Sequence, residues 1–132
     1  MKNKIIYINQ PAFKNIIQKH NTDSNTFYVE IEGKNCKVIS DYLTEASIKL
    51  QFPMISKGLD GYEDWIRDLS WIKEENIVLE INHYNEFMSN DLVKKRMVIE
   101  SFEDIVFPWW ESEVCEHMVE GKPRSFTVYL VE

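Results

Sequence analysis

The sequence predicts an α/β fold: a small, largely parallel three-stranded sheet flanked by helices, with an N-terminal extension able to add a strand. Three observations predict it. Strand-like and helix-like periods alternate in the order strand, helix, helix, strand, helix, helix, strand, and crossovers of that kind favour parallel strands with helices packed on the sheet. The run Ile77-Val78-Leu79-Glu80-Ile81 is largely apolar, as a strand covered on both faces must be. Finally, 132 residues, 44% hydrophobic and rich in Trp, Tyr and Phe, are enough for one domain with a real core and no disulfide or metal.

Each element has its own local reason. Residues 4–8, Lys-Ile-Ile-Tyr-Ile, read as a short strand. Pro11 then opens a short helix with Phe13, Ile16 and Ile17 on one side, and the polar stretch 21–25 reads as a loop. Residues 1–26 are therefore expected to be an extension, and 27–132 the main domain. In 27–32 the period is two: Phe27, Val29 and Ile31 inward, Tyr28, Glu30 and Glu32 outward, with Gly33 ending the strand. Ser40 suits the N-cap of the next helix, with Ile39, Leu43, Ala46 and Leu50 along one face. Phe52-Pro53 stops it, since the residue before proline avoids the helical region. A second helix is predicted over about 60–72, with Tyr62, Trp65, Ile66, Leu69 and Ile72 as its apolar stripe. After the strand at 77–81, a helix runs from about Asp91 toward Val106, and Pro108 breaks or kinks it. Residues 109–120 resume the helix, with Gly121 as its stop, and 126–131 form the last strand. At least one of Trp109 and Trp110 belongs in the core, because large aromatics are mostly buried.

Catalytic signatures are absent. The chain has no GxSxG, GxxxxGK, GxGxxG or HExxH, and only four glycines from which to build a phosphate loop. His20, His83 and His117 are scattered, and Cys115 and His117, two residues apart, do not share a helical face. His117 would share a face with Glu113 and Glu120, but nothing supplies the remaining ligands of a metal site. No enzyme activity, cofactor or metal is therefore expected. Cys36 and Cys115 read as free thiols. The formal net charge of -7 argues against direct nucleic-acid binding, which needs a basic face, and suits either solubility or a basic partner. There is no apolar run of membrane-spanning length and no signal-peptide pattern, so the expectation is a cytoplasmic protein with no membrane partner.

Two acidic stretches stand out. Asp60, Asp64 and Asp68 are spaced i, i+4 and i+8, on a ridge opposite the apolar stripe, with Glu63 beside them. Like charges at that spacing cost roughly 0.2–0.5 kcal/mol per pair. The helix dipole or an N-cap role explains Asp60 and Glu63, but Asp64 less well and Asp68 hardly at all. Between Met97 and Gly121 there is no Lys or Arg, while seven acidic residues occur; Glu113, Glu116 and Glu120 would share a helical face. A one-sign surface gives up pairing but steers a basic partner toward it.

These residues carry a family resemblance over about 27–132. Ile31 to Asp41, with Phe52-Pro53, resembles the opening strand, turn and first helix of barstar. The segment Gly58-Leu59-Asp60-Gly61-Tyr62-Glu63-Asp64-Trp65-Ile66-Arg67-Asp68-Leu69-Ser70-Trp71 is similar to that family's signature of an Asn-Trp/Leu-Asp-Ala turn, an acidic helix and an Asp-Leu-x-Trp ending. Residues 77–81 and 126–130 resemble its second and third strands. The resemblance implies a small parallel sheet flanked by helices and an inhibitor of a basic barnase-like ribonuclease or nuclease toxin. It implies that Asp60 and Asp64 stand where RNA phosphates would go. A further acidic contact is implied on the helix before the last strand, and the sequence leaves Glu113, Glu116 and Glu120 open for it. The sequence departs from the pattern at Gly58, where asparagine is usual, at Gly61, and at Glu63, a position that can be aromatic at the interface. A non-inhibitory adaptor built on the same fold is the alternative reading.

Overall fold

The computed structural model describes residues 2–132. Runs rich in β-branched and aromatic residues form four strands: β1 (Lys4–Ile8), β2 (Thr26–Glu32), β3 (Asn76–Asn82) and β4 (Ser125–Val131). All neighbours pair in parallel, in the order β1-β4-β3-β2. The predicted three-stranded sheet is the β2-β3-β4 part. The extension supplies the fourth strand at the free edge of β4, with Ile6 opposite Tyr129.

Helices cover both faces. The helices α2 (Ile39–Lys49), α3 (Leu59–Ile66), α4 (Leu92–Ser101) and α5 (Val114–His117) enclose the main core, which includes Val29, Ile31, Leu79, Phe126, Val128 and Leu130. On the other face α1 (Gln10–Thr22) buries Phe13 against Val78, Tyr129 and Val131, with Tyr28 half-buried beside them. β3 is therefore covered on both sides, as its composition requires. The face of β2 predicted to point outward is partly roofed: the Tyr28 hydroxyl donates to Glu80, which is only 2% exposed. α1 is capped by Asn9, whose side-chain oxygen accepts from the Ala12 N–H at 2.8 Å.

The start of α2 and the end of α3 differ from expectation. α2 begins at Ile39, so Ser40 lies inside its first turn; the capping is done by Asp41, whose carboxylate accepts from the Lys37 and Val38 N–H groups at 2.9 and 3.2 Å. α2 closes before Phe52-Pro53, through Gln51 in the left-handed region (φ 60°) and a Phe52 N–H to Ser47 carbonyl bond of 2.9 Å. α3 ends at Ile66 rather than running to 72. Leu69 turns left-handed (φ 48°), and the turn still buries Leu69 and Ile72 completely or nearly so. The apolar stripe was real, but a turn delivers its last two members.

The long helical stretch from Leu92 to His117 is not broken at Pro108, which keeps helical dihedrals (φ -61°, ψ -36°). Proline has no N–H and crowds the preceding turn. Here π-helical turns at Phe102–Val106 and Trp109–Glu113 flank it and widen the helix. Val98, Phe102, Val106, Trp110 and Val114 are all buried, each four residues after the last. Every four-residue step overshoots a 3.6-residue turn by about 40°, so a regular helix would carry Val114 about 160° away from Val98. Each π turn accommodates an extra residue, which cancels most of that drift. The helix stops at His117, short of Glu120: Met118 is extended and Glu120 is left-handed (φ 59°). Gly121 is needed for close approach, since a Cβ there would lie 2.3 Å from the Val114 carbonyl oxygen.

Candidate functional site

α3 presents its two faces differently because of what lies beneath it. Tyr62 and Ile66 are fully buried, and the Tyr62 hydroxyl meets that of Tyr42 on α2 at 2.6 Å. Burial lifts both tyrosines well above the ordinary phenol range, so they stay neutral partners in a dry contact. The opposite face carries Asp60 and Asp64, both exposed and one helical turn apart. Asp60 makes no hydrogen bond or ion pair with the described residues. Asp64 has an Arg67 Nη2 at 3.2 Å, in a pair whose carboxylate is 75% exposed. An exposed pair of this kind contributes little and leaves the carboxylate open to a competitor.

The other predicted residues are placed differently. Asp68 lies past the end of α3, so it does not continue the ridge of Asp60 and Asp64; its Oδ1 instead accepts from the Ser70 N–H at 3.2 Å in the turn. Glu63 is half-buried, and its Oε2 accepts from the hydroxyl of buried Ser101 at 2.6 Å. Glu113 is half-buried in the second π turn and Glu116 is exposed on α5. Glu120 sits beyond the helix end in a left-handed turn, so the shared helical face predicted for Glu113, Glu116 and Glu120 does not form.

Between the end of α3 and the segment 118–124 lies a groove of about 650 Å³. Asp64, Asp68 and Glu120 line it, together with Arg67, Lys122 and Arg124; Glu113 and Glu116 do not. Its aromatic wall is Trp109 and Trp110. Trp110 is buried and donates from Nε1 to the Ile66 carbonyl at 3.0 Å. Trp109 is half-buried, stacked on His117 (rings 5.9 Å apart), with the Arg67 guanidinium 5.7 Å from its ring. Arg124 lies 4.9 Å from the Trp110 ring and donates to the Ile72 carbonyl at 2.7 Å; burial lowers its basicity. The acidic run between 97 and 121 is thus met by cations from outside that run, and the groove is mixed in sign rather than acidic throughout.

Sequence reasoning did not find Ser101, Trp110 or Arg124 as organisers of this region. The signal for Trp110 was present: apolar positions four apart, from Val98 to Val114, cannot stay on one face of a regular α-helix. Among the described residues no group of His, Cys, Asp and Glu is arranged to hold a metal ion, and no helix is long and apolar enough to cross a membrane. Cys36 is buried and Cys115 exposed, and both are free.

The family model for barstar, the barnase inhibitor, matches residues 26–130. The chain belongs to the barstar family. No curated protein and no solved structure gives a significant match to it. Barstar-family proteins are inhibitors rather than enzymes, and the parallel sheet flanked by helices agrees with the fold that the resemblance implies. The barstar match starts where β2 starts; β1 and α1 precede it, yet β1 is hydrogen-bonded along β4 and α1 covers one face of the sheet.

Proposed function

We propose that this barstar-family protein inhibits a basic, barnase-like ribonuclease or nuclease toxin by laying α3 across the enzyme's active site. The observation that carries this reading is the exposed pair Asp60 and Asp64, one turn apart on a helix whose opposite face is fixed in the core. A ribonuclease holds cationic side chains around a phosphate. Two carboxylates at helical spacing supply charge-assisted hydrogen bonds in place of the phosphate's, and a helix already ordered loses little freedom on binding. The net charge of -7 adds long-range attraction to a basic enzyme. Barnase and barstar are themselves the standard illustration of such steering and of an acidic hot spot. Asp68, Glu113 and Glu116 would act at the rim, and the cytoplasm is where a cell needs protection from its own nuclease.

The test is inhibition of RNA cleavage by barnase. The parent protein should block it, and Asp64→Ala should weaken binding by more than about 2 kcal/mol, or roughly 30-fold, with an unchanged fold. Equal inhibition by parent and variant would defeat the assignment. A second reading, an adaptor that no longer inhibits, is favoured by the mixed charge of the groove and by Gly58 and Glu63, which depart from the family pattern. A protein that leaves barnase fully active while binding another cellular protein through α3 would establish it.

A further inference from the structure

A helix of eight residues is marginal by itself, so the angle of α3 has to come from what holds it. On one side it is tied to α2 through the Tyr42 and Tyr62 hydroxyls. On the other it meets the π-widened helical stretch at two points. Ser101 donates to the Glu63 carboxylate, and Trp110 donates to the Ile66 carbonyl, one of the carbonyls a helix leaves open at its C-terminal end. Ser101 and Trp110 are nine residues apart. In a regular helix that is two and a half turns, which would set them on opposite faces. The first π turn lies wholly between them and the second in part, and the extra residues they accommodate rotate Trp110 round to the side of Ser101. The widening is what allows one helix to grip α3 at both its middle and its end.

We propose that Glu63 is a positioning residue: clamped by Ser101, and with Trp110 fixing Ile66, it sets the angle at which α3 presents Asp60 and Asp64, and it makes no charged contact with the partner. The proposal rests on the reading of α3 as the binding helix. What the clamp needs from position 63 is an acceptor oxygen, which glutamine keeps and alanine lacks. A charged contact would need the carboxylate itself, which both substitutions remove.

The experiment uses the full chain and five variants: Glu63→Gln, Glu63→Ala, Ser101→Ala, the double variant Glu63→Ala with Ser101→Ala, and the control Asp64→Asn. Amide hydrogen exchange is measured on each free protein, and affinity is measured with barnase as the probe. Glu63→Ala and Ser101→Ala should speed exchange across α3 by about fivefold or more, the value of one hydrogen bond, with β3 unchanged. Combining the two should add nothing, because they remove the same bond. Glu63→Gln should keep both the exchange rates and the affinity of the parent, while the two alanine variants lose affinity through faster dissociation. Parent-like exchange in Glu63→Ala would overturn the clamp. So would a Glu63→Gln protein with intact α3 protection and affinity as poor as Glu63→Ala, which would make Glu63 a charged contact. Should the parent not bind barnase, or Asp64→Asn bind as tightly as the parent, it is the inhibitor reading that fails, and the exchange rates still decide the clamp.

Discussion

Replacing Glu80 by glutamine should flatten the stability of this protein across the neutral pH range. Glu80 lies on β3 beneath α1, 2% exposed. Burial raises its pKa from 4.5 to about 7; the hydrogen bond from Tyr28 opposes the rise and the nearby Glu30 adds to it. In the unfolded chain the same group ionises near 4.5. Between those two values the folded protein holds a proton that the unfolded chain has released, so stability falls as pH rises through the window. It is fully present below about pH 4.5 and lost once pH passes about 7. A displacement of about 2.5 pH units, at 1.36 kcal/mol each, corresponds to about 3 kcal/mol. Glutamine is neutral at every pH, close in shape, and keeps an oxygen for the Tyr28 hydroxyl. Urea denaturation of parent and variant at pH 5, 6, 7 and 8 gives the test, since groups common to both cancel in the difference. Between pH 5 and pH 8 the variant should gain on the parent by about 2.5 kcal/mol, most of it below pH 7. Parallel curves would refute the argument and mean that Glu80 is solvated in the folded state.

Other consequences are simpler to check. Gly121→Ala places a methyl 2.3 Å from the Val114 carbonyl oxygen, so the chain must shift; a loss of about 1–3 kcal/mol is expected in thermal or urea unfolding. Phe13→Ala removes the buried centre of the contact between α1 and the sheet and should cost about 3–5 kcal/mol, with exchange rising first in β1 and α1. Rising salt should slow association with barnase far more than it speeds dissociation, because the long-range field is screened while the buried contacts are not; stopped-flow rates at two ionic strengths show which.

The strands were legible because each leaves a local mark: alternation in 27–32, a largely apolar run in 77–81, and Ile5, Ile6 and Ile8 in a five-residue run. The buried aspect of α3 was legible for the same reason, and so was the outward direction of Asp60 and Asp64. The position of Asp68 was not. Leu69 and Ile72 fit the helical period, and a pattern of buried positions is the same whether a helix or a left-handed turn delivers them. The supposed common face of Glu113, Glu116 and Glu120 failed likewise, because the helical period was carried past His117, where the chain extends. The cations of the groove come from Arg67, Lys122 and Arg124, which are spread along the chain and meet only through the fold. Glu80 was hidden inside an apolar strand; one acidic residue in such a run is the mark of a group that the fold must either pair or neutralise.

β4 follows the other three strands in sequence and is an inner strand of the sheet, lying between β1 and β3. While the protein is being synthesised, β2 and β3 can pair, but β1 has no neighbour until residues 125–131 have left the ribosome. β4 then joins the two halves. Sheets assembled from partners so distant in sequence form slowly. A copy cut short before Ser125 would keep Asp60 and Asp64 in its sequence and yet lack the strand that joins the halves of its sheet.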